Sequence, residues 1–254
     1  MNENEKKIWI TGASSGIGKA LAIKFANQGW QVAASARREN LLKDLNNQNP
    51  NIYSFPLDVR NENESKNTFQ NIIKKFQTID ISVFCTGMHD PDAEKKLSSE
   101  KIREIMETNF FGTLNCIMAV NTYFRERKNG HIAIVSSVAG YRGLPAASGY
   151  CASKSALISL AESLYFDFKR YNVKVSVINP GFIKTPMTDK NKFPMPMIKS
   201  AEFAAEKIFI GLTEKNAFEI HFPIAFTMLM KLLKIMPNWL YFLLVKKGMK
   251  TIKY

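Results

Sequence analysis

The chain has 254 residues, 46% of them hydrophobic and 22% charged, a balance that excludes a disordered or fibrous protein and supplies a core without covalent staples. Its three cysteines, Cys85, Cys116 and Cys151, show no C-x-x-C or Cys/His ligand spacing, so no disulfide framework and no metal site is expected. Much of the net charge of +13 reads as solvated surface, with nucleic acid, an anionic membrane surface, and an anionic cofactor or substrate as the candidate counterparts.

Residues 1–7 carry charges of both signs and lead straight into an apolar run, unlike a signal peptide, so the cytoplasm is the expected compartment. Residues 7–11 read as a first strand, followed by a glycine-rich stretch and a helix over 17–28. A second strand (31–35), a helix (39–47), a third strand (52–56) and a helix (63–76) follow. The lysines between 66 and 75 read as a solvated helix face. Then come a fourth strand (81–85), one long helical region (99–127), a fifth strand (131–136), a helix (150–171) and a sixth strand (174–179). Such alternation implies parallel strands joined by right-handed crossovers, with helices on both faces. The strands are near-continuous apolar runs, as strands buried on both faces should be. No repeat or linker divides residues 1–254, so an α/β fold with one doubly wound domain is expected.

The turn after the first strand reads Thr11-Gly-Ala-Ser-Ser-Gly-Ile-Gly18. Gly12 permits a tight turn, Gly16 lets backbone approach a pyrophosphate, and Gly18 allows close helix packing. Ser14, Ser15 and Ile17 complete the cradle, and the helix N-terminus offers N–H groups and a positive dipole end to phosphates. The spacing Gly-x-x-x-Gly-x-Gly after Thr11 resembles the classical short-chain dehydrogenase/reductase family. That likeness implies a Rossmann fold, and four further motifs between residues 6 and 190 agree with it in order.

Tyr150-Cys-Ala-Ser-Lys154 places a phenol and an ammonium on one helical face. A tyrosine with a pKa of about 10 is a poor base at neutral pH, and an adjacent positive charge favours its phenolate. Lys154 and an oxidised nicotinamide ring are suitable sources of that charge. The resemblance implies that Tyr150 is the general acid/base, protonating a carbonyl oxygen in reduction and taking the alcohol proton in oxidation. It further implies that Lys154 lowers the tyrosine pKa and binds the nicotinamide ribose. Ser137 would orient the reacting oxygen, with Ser136 the lesser alternative, and Asn109 would hold a water in the proton relay.

An acidic residue after the second strand would hold the ribose 2′-OH of NAD, whereas arginine can hold the 2′-phosphate of NADP. Here Ala36 is followed by Arg37 and Arg38, so NADP(H) is the expected cofactor. By the same likeness Asp58 and Val59 border the adenine, and Gly87 closes the fourth-strand turn. Pro180, Gly181, Ile183 and Thr185 receive the nicotinamide carboxamide. Phe84-Cys-Thr-Gly87 departs from the Asn-Asn-Ala-Gly of many members, removing side chains that tie the central strands together.

Residues 184–200, with Pro186, Pro194, Pro196, Met187, Met195 and Met197, read as a mobile apolar substrate lid. Residues 222–254 form a basic apolar extension with six lysines and no acidic residue. Residues 225–245 are too interrupted for a transmembrane span. The segment can lie on an anionic membrane surface, or pack on its own domain or a partner subunit. No nucleic-acid-binding motif accompanies the charge.

The expected protein is an NADP(H)-dependent oxidoreductase of an apolar or lipid-derived carbonyl or alcohol, and by resemblance a homo-oligomer, dimer or tetramer. A dinucleotide-binding sensor or scaffold would need no Tyr-Lys-Ser-Asn set. A membrane-surface platform on the same fold is the third reading.

Overall fold

The computed structural model describes residues 5–191 and 193–250, with the side chains of 248–250 set aside. Lys253 of the basic extension and the first four residues lie outside the described residues. Seven parallel strands form one sheet in the order β3-β2-β1-β4-β5-β6-β7. They are β1 (Lys7–Thr11), β2 (Gln31–Ser35), β3 (Ile52–Ser54), β4 (Ile81–Phe84), β5 (Gly130–Val135), β6 (Val173–Pro180) and β7 (Glu219–Phe222). The helices between them are α1 (Gly16–Asn27), α2 (Glu39–Gln48), α3 (Glu62–Phe76), α4 (Pro91–Lys95), α5 (Ser99–Met106), α6 (Gly112–Arg127), α7 (Ser148–Lys169) and α8 (Ala201–Ile210). After β7 come α9 (Ile224–Ile235) and α10 (Asn238–Lys250).

Alternation along β1 sorts the two cores. Ile8 and Ile10 point into a layer with Leu21, Phe25, Leu42 and Ile208 of α1, α2 and α8. Trp9 points the other way, among Phe69 and Phe76 of α3, Phe124 of α6 and Phe168 of α7. Trp9 also meets Phe84 edge-on at 5.6 Å and donates through Nε1 to Ser35 Oγ at 2.9 Å, so its one polar atom is satisfied in the core.

The chain runs outward from β1 to β3 and returns to place β4 on the other side of β1. Doubly wound sheets bind ligands at this reversal, beyond the carboxyl ends of the strands. Here the β1 and β4 turns are pressed together: a Cβ on Gly12 would lie 2.8 Å from Cys85 O. The missing asparagines are compensated locally, because Thr11 Oγ1 accepts from the Cys85 N–H at 3.1 Å.

Three differences from the sequence expectation have physical causes. The region 99–127 is not one helix: a five-residue π-helical turn, Glu107–Phe111, separates α5 from α6. The extra residue in that turn directs Asn109 inward. The strand β7 is short and its inward Ile220 and Phe222 alternate with Glu219 and His221. Its polar residues are paired inside the structure and leave little strand signature. α8 packs on α1 and closes the face that the sequence left uncovered.

Candidate functional site

A cleft of about 620 Å³ opens at the carboxyl ends of β1, β4, β5 and β6, within the size range of small-molecule and cofactor sites. It is lined by Gly12, Ser14, Ser15, Gly16, Ile17, Gly18, Arg37, Arg38, Asp58, Val59, Gly87, Ser137, Tyr150, Lys154, Pro180, Gly181, Ile183 and Thr185. All the candidate residues named from sequence therefore meet in one cavity except Asn109, which stands just behind it.

At the floor, Gly12 has φ +69°, and a Cβ on Gly18 would fall 2.4 Å from Gly12 O. Only glycine lets the turn and the first coil of α1 approach so closely. Ser15 precedes α1 with extended backbone and no side-chain cap, leaving the helix N-terminus directed at the cleft. At one end, Arg38 Nη2 donates to Ser14 Oγ and Ser15 Oγ, both at 2.8 Å, and its Nε donates to Ser14 Oγ at 3.2 Å. Arg37 is exposed beside it. Arg60 forks onto Asp58 at 2.5 Å and holds that carboxyl below its ordinary range, with Arg37 adding to the effect. The cradle, the helix terminus and two guanidinium groups suit a nicotinamide dinucleotide with an additional ribose phosphate.

At the other end, α7 carries Tyr150 and Lys154. Lys154 is buried, its Nζ donates to Val135 O at 3.0 Å, and burial pulls its pKa down to about 8. Ser136 and Ser137 both line the cleft, and Ser136 Oγ donates to Lys154 O at 2.7 Å, fastening β5 to α7. Ser137 Oγ accepts from the Ala139 N–H at 3.1 Å and donates to Pro180 O at 3.5 Å. Tyr150 is half-buried and lines the cleft. Burial pushes its pKa up to about 12, against the lowering effect of Ser137. Lys154 Nζ is engaged with the Val135 carbonyl and lies 5.7 Å from the Tyr150 ring centre.

The π turn explains Asn109. Its Oδ1 accepts from the Met88 N–H at 2.7 Å, and its Nδ2 donates to Met88 O and Ser153 Oγ, both at 3.0 Å. A Cβ on Gly87 would lie 3.4 Å from Lys154 Nζ and 3.6 Å from Asn109 Oδ1. Gly87 is thus the thin partition between the two.

Two residues escaped the sequence reading. Glu94 of α4 is buried; its Oε2 accepts from the Gly149 N–H at 2.6 Å and the Tyr150 N–H at 3.2 Å. A carboxylate therefore satisfies the free N–H groups at the start of the helix bearing Tyr150. Its other oxygen bonds His89 Nδ1 at 2.8 Å, and the His89 ring lies 4.7 Å from the Tyr150 ring. Asp90 caps α4 ahead of Pro91, but nothing local in the sequence distinguishes Glu94 from a solvated acid.

The segment 184–200 is pinned at its base. Lys184 N–H donates to Lys199 O at 2.8 Å and Lys199 N–H to Phe182 O at 3.0 Å. Thr188 Oγ1 donates to Ile183 O at 2.7 Å, and Met187 lines the cleft.

The pattern described as short chain dehydrogenase matches residues 6–194. The chain belongs to the short-chain dehydrogenase family. An uncharacterized oxidoreductase of Myxococcus xanthus is 34% identical over 236 residues, covering 91% of this chain and 93% of that protein. A 3-oxoacyl-acyl-carrier-protein reductase, FabG, of Thermotoga maritima is 32% identical over 206 residues, covering 80% and 82% of the two chains. The solved structure of ElxO with NADP bound superposes with a TM-score of 0.76 at 26% identity, covering 85% of this chain and 97% of ElxO. The protein is thus an oxidoreductase of a family that uses nicotinamide cofactors on small carbonyl or alcohol substrates.

Proposed function

We propose that this short-chain dehydrogenase uses NADP(H) to interconvert a carbonyl and a secondary alcohol on an apolar or lipid-derived substrate. The observation that carries the reading is one cleft with Ser137, Tyr150 and Lys154 at one end and Arg37 and Arg38 at the other.

Bound NADP(H) supplies hydride chemistry that side chains cannot. Arg37, Arg38 and Ser14 would hold its 2′-phosphate, the 12–18 turn its pyrophosphate, and Asp58 and Val59 its adenine end. Ile183 and Thr185, beside Pro180 and Gly181, would receive the carboxamide. Ser137 orients the substrate oxygen, and Tyr150 delivers a proton to it during reduction. Tyr150 carries its proton in the neutral range, and positive charge beside the phenol would ease its transfer to the substrate oxygen. Oxidation needs positive charge near the phenol, from Lys154 in its protonated form and from the oxidised cofactor. Asn109 keeps the Met88 backbone and α7 in register, and Glu94 positions the first turn of α7. Residues 184–200, tied at the base and rich in proline and methionine, form the lid over an apolar substrate. The homo-oligomer expected from the family belongs to the same reading.

A titration of the purified protein with NADPH and NADH side by side tests the cofactor choice. NADPH should bind more tightly, and Arg37→Ala should weaken NADPH by roughly 10- to 100-fold while leaving NADH nearly unchanged. Equal losses for the two nucleotides would remove the assignment.

A further inference from the structure

The last two described helices are attached to the fold by one side each. On α9, Phe226, Thr227 and Met230 are buried, and Phe226 stacks on Phe182 with ring centres 5.4 Å apart. Arg142 closes the end of this helix, donating to Leu233 O at 2.7 Å, Lys234 O at 3.0 Å and Met236 O at 2.6 Å. On α10, Tyr241 is buried under the Arg142 guanidinium, 4.1 Å from its ring centre, and its hydroxyl donates to Gly143 O at 2.5 Å. Lys231 turns inward to Glu219, whose Oε1 also accepts from Asn179 Nδ2 at 2.8 Å. The hairpin is therefore docked, and its bare side is a surface of the folded protein.

That bare side is apolar. Ile224, Met228, Leu232 and Ile235 fall at i, i+4, i+8 and i+11 along α9, with Ile235 79% exposed. On α10, Trp239, Phe242 and Leu243 share a face, with Trp239 70% and Phe242 63% exposed. Monomeric soluble proteins seldom leave so continuous an apolar surface to water. Lys234 and Lys246 are exposed beside it, and residues 223–254 hold six lysines and no acidic residue. Among the described residues no helix is long and apolar enough to cross a membrane.

We propose that the outer face of the α9–α10 hairpin is a peripheral anchor to anionic phospholipid surfaces. Apolar side chains enter the acyl boundary, tryptophan sits at the headgroup level, and flanking lysines reach anionic headgroups. Charge separates this occupant from a second copy of the chain. A self-contact would bring one all-basic segment against another, with no acidic residue in either to pair with it. The inference goes beyond hydride transfer and stands independently of it.

The test is co-sedimentation of the full chain with phosphatidylcholine vesicles and with vesicles in which phosphatidylglycerol replaces part of that lipid. The chain should bind the anionic vesicles, bind the neutral ones far less, and be released by high salt. Trp9 and Trp30 are buried, so Trp239 should dominate a blue shift of tryptophan emission on anionic vesicles, absent in Trp239→Phe. Lys234→Gln with Lys246→Gln should weaken binding about fivefold per lysine. Trp239→Ser with Phe242→Ser should abolish it, with NADPH binding retained as the check on folding. Failure to sediment with anionic vesicles would overturn the anchor. So would binding indifferent to the Trp239 and Phe242 substitutions, or a dimer that those substitutions dissociate while vesicles are ignored.

Discussion

Tyr150 and Lys154 are both set against ionisation by burial, the phenol toward about 12 and the ammonium toward about 8. Burial alone shifts both groups toward their neutral forms, and the sequence expectation draws part of the charge that activates Tyr150 from the oxidised nicotinamide. Gly12, Ser137, Tyr150 and Lys154 were legible because their spacing encodes the chemistry locally. Glu94 and His89 were not: Glu94 acts on a backbone N–H 55 residues away, and no local spacing carries that contact. His131 shows the same effect of burial on stability. Its ring bonds Ser176 Oγ at 2.8 Å, and burial lowers its pKa from 6.5 to about 4. Between these values the unfolded chain binds the extra proton, so stability is complete above about pH 6.5 and declines as pH falls toward 4. The full loss is about 3 kcal/mol. Urea unfolding across this range should show a shallower pH slope for His131→Gln than for the unaltered chain. Identical slopes would show that His131 does not titrate in this way.

At the scale of elements, helix α7 is held from both directions. Ser136 and the Val135 carbonyl secure Lys154 from β5, while Glu94 secures the first turn from α4. Losing the Glu94 charge should tilt Tyr150 without emptying the cofactor cradle, since no cradle residue touches Glu94. Glu94→Gln is expected to lower kcat roughly tenfold or more and leave the NADPH Kd within about twofold. A matching loss in both would mean that Glu94 supports the whole cleft and does not specifically position Tyr150. The alternating strands and helices from 7 to 179 were legible from apolar runs and turn residues. The π turn around Asn109 was not, because Glu107–Phe111 carries the same helical periodicity as its flanks. β7 and α8 escaped because four residues alternating with Glu219 and His221 give too short a signal, and α8 declares itself only by packing on α1.

For the whole molecule, the parallel topology places the Gly-rich turn, the β4 turn, α7 and the 180–188 loop at one edge of the sheet. Tyr150 and the Gly-rich turn thereby share a cavity although they are far apart in sequence. The C-terminal hairpin roots on the same edge, through Phe182 and Gly143. Sequence alone left its role open between the chain's own domain, a partner and a membrane. One face lies on the domain, and among the described residues the other is bare. The central claim is that this chain transfers a proton from Tyr150 during NADPH-dependent carbonyl reduction. The most direct measurement is NADPH oxidation against a panel of apolar ketones by the unaltered enzyme and by Tyr150→Phe, with NADPH affinity determined for both. The account predicts that Tyr150→Phe lowers turnover by at least about 100-fold at nearly unchanged NADPH affinity. Turnover by Tyr150→Phe equal to that of the unaltered enzyme would contradict it.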